Sequence, residues 1–85
     1  MDLLFFKTPA PGEMIAIEGD LTREVQHILQ WAGYYDGPIT GEYDAPTRKA
    51  LRNLIGNENF EEHFDEEKDL ISRQVMDVFR LKFAR

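Results

Sequence analysis

The sequence has no cysteine, so it has neither a disulfide framework nor a thiolate metal site. Serine occurs once, as Ser72, and histidine only as His27 and His63. Nucleophilic catalysis needs a nucleophile, a base in reach and a group that orients the base. With one serine and two distant histidines, a triad of that kind is not expected, and no catalytic residue is assigned. Zinc takes three or four ligands, and one histidine per region falls short of that. Long apolar runs are missing too. Leu3-Leu4-Phe5-Phe6 is only four residues long, against about 20 for a membrane span and about 7–15 for the core of a signal peptide. No span is expected, and export would need an address supplied by a longer parent chain. Basic residues are in the minority. Ten Lys and Arg stand against sixteen Asp and Glu, a net charge of −6, which argues against a nucleic-acid binder, because binding phosphates needs a clustered basic footprint.

What remains is 85 residues with 42% hydrophobic content, enough for one domain around one core. Residues 3–7 and 14–17 are short β-prone runs separated by Thr8-Pro9-Ala10-Pro11-Gly12, a turn by composition. They predict a hairpin, or an extended arm lying on the helices, over residues 1–19. From Asp20, read as a helix cap, Leu21, Val25, Ile28, Leu29 and Ala32 recur at helical spacing. Gly33 ends that helix, and Trp31 flanks the stripe as a half-buried ring. A second helix starts at Asp44 with Pro46 in its first turn. Its apolar side is Thr47, Ala50, Leu51, Leu54 and Ile55, and Gly56-Asn57 stop it. A third helix follows Ser72 as cap, with Ile71, Val75, Val78 and Phe79 as its stripe, Met76 and Phe83 bordering it, and an Ile71–Met76 staple at its start. The cations Arg80, Lys82 and Arg85 crowd its last turn. The expected fold is mainly α: a compact three-helix bundle over 20–85 with the N-terminal arm in front.

Residues 58–69 hold seven carboxylates. The calcium-loop pattern needs glycine at its sixth position and a carboxylate at its twelfth. Counted from Asp65, those positions are Leu70 and Met76, so the pattern fails and a solvated acidic face is expected. Phe60 and Phe64, four apart, can be buried together by a short helical turn.

The connecting loop carries the ligand-like chemistry. Tyr34, Tyr35 and Tyr43 surround Asp36 and Thr40. Tyrosine offers a ring for apolar contact and a hydroxyl for a hydrogen bond, which suits a sugar or a peptide. Two roles are open to Tyr34 and Tyr43, ligand contact or core rings pinning the loop. Tyr35, beside Asp36, is the ring expected to be exposed. Arg48, Lys49 and Arg52 form a basic strip on the second helix. It can meet ligand carboxylates or face the acidic run at 58–69.

Val25-Gln26, Leu29, Gly33-Tyr34-Tyr35, Asp36-Gly37-Pro38-Ile39-Thr40-Gly41, Tyr43-Asp44-Ala45-Pro46-Thr47 and Ala50-Leu51 together resemble the peptidoglycan-binding domain family. Two positions depart from it. Thr40 stands where the family usually has Asp, and Leu54-Ile55 where it usually has an aromatic-Gln pair. The stretch Gly56-Asn57-Glu58-Asn59-Phe60-Glu61-Glu62, the acidic run and the closing helix resemble the narrower family whose peptidoglycan-binding-type domain follows an N-terminal-nucleophile hydrolase-like domain. Asp2-Leu3-Leu4-Phe5-Phe6-Lys7-Thr8-Pro9 is similar to the joint between the two, which implies that Met1 heads a piece of a longer chain. The resemblance implies a non-catalytic module without cofactor or metal that binds peptidoglycan or a muropeptide beside the hydrolase-like domain. Tyr34, Tyr35, Asp36, Thr40 and Tyr43 would line the ligand face, with Arg48 and Arg52 nearby. Such a module belongs to the cell envelope or periplasm. The alternative is an interaction or oligomerisation module packing on its parent enzyme domain or on another copy through Phe5, Phe6 and Trp31, which would also suit the cytoplasm.

Overall fold

A computed structural model describes residues 14–83. In chain order they form β1 (Met14–Ala16), α1 (Asp20–Ala32), α2 (Ala45–Asn57), a 3-10 turn (Glu61–His63), β2 (Phe64–Asp65), β3 (Leu70–Ser72) and α3 (Arg73–Phe83). The fold is mainly α, as the helical stripes require, with a small antiparallel sheet ordered β1-β3-β2. The β-prone run at 14–17 therefore finds its partner far along the chain. Met14, Ile15 and Ala16 face Ser72, Ile71 and Leu70, and the Ile17 N–H donates to the Asp69 carbonyl at 2.9 Å. Residues 3–7, and with them Phe5 and Phe6, lie outside the described residues.

The two long connections are set by helix ends of one design. At the end of α1 the Gly33 N–H donates to Gln30 O at 3.1 Å and the Tyr34 N–H to Leu29 O at 2.8 Å, with Gly33 left-handed at φ 87°. At the end of α2 the Asn59 N–H donates to Gly56 O and the Phe60 N–H to Ile55 O, with Asn59 at φ 63°. Both are Schellman closures, in which the residue after the left-handed one packs back onto the helix. Gly56 is therefore inside α2 and does not stop it; the left-handed Asn59 does.

The start of α1 also differs from expectation. Its cap is Gly19 at φ 58°, and no side chain caps it. The carbonyls of Glu18 and Gly19 accept from the Leu21 and Thr22 N–H groups, and Asp20 pairs with Arg23 at 3.0 Å. The sharp entry from β1 needs a positive φ, which glycine adopts without steric cost. At α2 and α3 the expected caps form: the Thr47 N–H donates to Asp44 Oδ1 and the Val75 N–H to Ser72 Oγ.

The core gathers Val25, Ile28 and Leu29 of α1, Leu51, Leu54 and Ile55 of α2, and Ile71, Val75, Met76 and Phe79. Each fully buried aliphatic side chain is worth roughly 1.5–3 kcal/mol of transfer free energy. On α3 the buried face is rotated from the expected stripe: Met76 is wholly buried while Val78 is half-buried. The Ile71–Met76 pair expected to staple the helix start is wholly inside. The acidic stretch does more than form a solvated face. After the 3-10 turn it makes the β2–β3 hairpin, with Phe64 opposite Ile71 and the reversal held by the Lys68 N–H on Asp65 Oδ1. Phe60 and Phe64 both pack on the core, each half-buried, but Phe64 does so from β2 and not from a helical turn, and Phe60 lies 6.0 Å from Phe79, centroid to centroid.

Candidate ligand-binding cleft

The Schellman closure at Gly33 drops the chain into the loop at 34–44, and three devices fix its path. The first is Tyr35. Its ring is folded inward, 9% exposed, and its hydroxyl donates to the Pro38 carbonyl at 2.8 Å. Gly37 crosses the ring so closely that a Cβ there would lie 2.8 Å from Tyr35 Cζ, and its carbonyl accepts from Gln30 Nε2 at 3.1 Å. The second device is Gln26, wholly buried on α1. Its Oε1 accepts from the Thr40 and Gly41 N–H groups, each at 3.0 Å. Its Nε2 faces Thr47 Oγ1 at 3.0 Å, the Glu42 carbonyl at 3.1 Å and Thr40 Oγ1 at 3.3 Å. The third is Tyr34, whose hydroxyl accepts from Asn57 Nδ2 on α2.

Between this loop and α2 lies a cleft of about 320 Å³ lined by Tyr34, Tyr35, Asp36, Gly37, Pro38, Asp44, Pro46, Lys49, Ala50 and Asn53, at the small end of the ligand-site range. Pro46, Lys49, Ala50 and Asn53 fall at i, i+3, i+4 and i+7, one face of α2. A second hollow of about 340 Å³ lies against Gln30, Gly33, Tyr34, Tyr35 and Asp36, so the segment 34–36 is a ridge shared by both.

Of the residues expected at a ligand face, Tyr34, Tyr35 and Asp36 line the cleft, and Thr40, Tyr43, Arg48 and Arg52 do not. Tyr35, expected to be the exposed ring, is the buried one. Its hydroxyl finds an acceptor in its own loop, so the ring can be buried with its polar atom satisfied. Tyr43, for which ligand contact and core packing were both open, is half-buried and packs against the core. Its hydroxyl is buried without a hydrogen-bond partner among the described residues, the Arg48 guanidinium lies 4.5 Å above its ring, and burial pushes its pKa up to about 12. Thr40 braces the loop, its Oγ1 accepting from Gln26 Nε2 and from the Glu42 N–H. Leu54 and Ile55, in place of the aromatic-Gln pair, are both wholly inside the core.

The basic strip divides. Arg48 forms a two-point pair with Asp69, and Arg52 pairs with Glu66 at 2.7 Å. Both face the acidic run, and only Lys49 reaches the cleft. The hydrogen bonds from Thr47 hold the Asp44 carboxyl below its ordinary value. Sequence reasoning missed Asn53 as a cleft residue and had Lys49 only as one member of a strip with two roles open, although the spacing of both with Pro46 was visible. It also missed Gln26 as the hub, because a glutamine beside an apolar stripe gives no local sign that it turns inward.

Among the described residues no cluster of His, Asp or Glu is arranged to hold a metal ion, and no helix is long and apolar enough to cross a membrane. The architecture is that of a small helical module with a preformed surface cleft. The model of the family described as "Putative peptidoglycan binding domain" matches residues 5–79, and the chain belongs to that family. No curated protein and no solved structure gives a match.

Proposed function

We propose that this domain is a non-catalytic module that holds peptidoglycan in the cleft between the 34–38 loop and α2. The observation that carries the reading is the cleft itself. Its walls are fixed by Gln26, Tyr35 and Tyr34 before any ligand arrives, so little ordering cost falls on binding. Its rim offers Asp36, Lys49 and Asn53, all exposed. The residues that could do chemistry have other places: Ser72 caps α3, and His27 stacks on Trp31 at 5.5 Å. In a parent chain that begins with a hydrolase-like domain, as the resemblance implies, the module raises the local concentration of cell wall at the neighbouring site.

The test is co-sedimentation with purified cell walls across a salt titration. Wild type sediments at low salt, while Asp36→Ala and Lys49→Ala sediment less and melt as the parent does. Wild type remaining in the supernatant at low salt would remove this reading. Packing against a partner domain through the half-buried Trp31 would then take its place.

A further inference from the structure

We propose that the cleft recognises the peptide stems of peptidoglycan, as a dipolar ligand carrying both a carboxylate and an ammonium group, and not the glycan strand; this rests on the cell-wall reading above. Lys49 and Asn53, one helical turn apart, present an ammonium and an amide on the α2 wall. Neither makes an ion pair or side-chain hydrogen bond with another described residue, whereas the neighbouring Arg48 and Arg52 are taken by Asp69 and Glu66. This wall is a carboxylate acceptor left open. Asp36 stands on the opposite wall, likewise without an ionic partner among the described residues, while Asp44 is engaged by Thr47 as the cap of α2. The cleft thus holds charges of both signs, facing ligand space and not each other.

Sugars of a glycan strand bring no ionised group to such a site. A neutral sugar seated there would strip water from Lys49 and Asp36 and return no counter-charge, which is costly. Peptide stems bring ionised carboxylates and, at a diamino acid, a free amine. The ligand carboxylate sits on Lys49 and Asn53, and the amine on Asp36. The second hollow continues past the Tyr34-Tyr35-Asp36 ridge, so an extended peptide has surface on both sides of the ridge, with the half-buried Tyr34 ring beneath it.

The experiment compares three probes on the whole chain: intact insoluble peptidoglycan, glycan strands stripped of their stems by an amidase and then amidated at the lactyl carboxylates that this hydrolysis frees, and a free stem tetrapeptide with a diamino acid at its third position. The wild type should bind intact material and lose about tenfold or more in affinity on the stripped strands. The free tetrapeptide should compete it off the intact material. Lys49→Gln should bind the tetrapeptide more weakly, and amidating the peptide's carboxylates should weaken the wild type but add little to the variant's loss. Asp36→Asn should show the same pattern towards acetylation of the side-chain amine. Both residues are exposed, so both variants keep the parent's melting curve. Stripped strands binding as tightly as intact material would overturn the stem assignment and leave the cell-wall reading standing. Failure of wild type on intact material would overturn both.

Discussion

Gln26 and Thr47 are wholly buried and meet through a 3.0 Å contact between Nε2 and Oγ1, which ties the middle of α1 to the first turn of α2. The same glutamine satisfies two backbone N–H groups of the loop between them, so one side chain sets both the helix spacing and the loop path. Gln26→Leu, of similar size, would leave the Thr40 and Gly41 N–H groups without their acceptor, at about 1–3 kcal/mol for each group that stays buried. The expected result is a large fall in the urea midpoint and faster amide exchange at residues 40–42. A midpoint within error of the parent would show that the loop does not depend on this hub.

Tyr43→Phe has the opposite sign. The hydroxyl it removes is buried without a partner among the described residues, so the variant should be equal to or about 1 kcal/mol more stable than the parent at neutral pH. At alkaline pH the two diverge. The folded phenol's pKa is raised from 10.0 to about 12, mainly by burial. Its stabilising contribution is complete below pH 10 and is lost as pH rises through about 12. The parent should lose stability in that window and Tyr43→Phe should lose less. A phenolate absorbance titration of the parent should show a phenol that ionises near pH 12 and is missing from Tyr43→Phe, and parent and variant curves with the same difference at every pH above 10 would contradict this placement.

Gly37→Ala tests the loop's packing. The added methyl meets the Tyr35 ring at 2.8 Å, and that ring is held by the Pro38 carbonyl, so one of them must move at a cost of about 1–3 kcal/mol. Tyr35→Leu removes the ring atoms in the way. The double variant should therefore lose less stability than the two single losses added together. Strict additivity in thermal melts would argue against the contact.

Acid should loosen the α1–α3 pairing. The hydrogen bonds from Arg80 hold Glu24 below its ordinary value of 4.5. A lowered folded pKa gives stability that is present above the unfolded value and lost as pH falls through the folded one. Both side chains are more than a third exposed, so after solvent screening the contribution stays below about 1 kcal/mol. Urea midpoints for the parent and Glu24→Gln should differ at pH 7 and converge below the carboxylate range. A difference that persists unchanged at pH 2.5 would assign the effect to packing.

The sequence by itself determined the helices. The stripes at Val25–Leu29 and Ala50–Ile55, the caps at Asp44 and Ser72, and the left-handed Gly33 are local features, since periodicity, capping and glycine's freedom act within a turn or two of chain. Opposite charge on the α2 strip and the acidic run was legible as well, and Arg48–Asp69 and Arg52–Glu66 realise it.

Only the tertiary structure decided which tyrosine went inside, where the 14–17 run found its strand, and that Gln26 turns inward. Each depends on a partner distant in sequence or on a backbone group whose position follows from the folded loop. Composition ranks Tyr35 and Tyr43 alike. The Pro38 carbonyl within reach of Tyr35 and the Arg48 guanidinium over Tyr43 separate them, and both positions follow from the path the folded loop takes into α2. The cleft arises the same way, because a groove belongs to the space between two elements and neither element's own sequence encodes it.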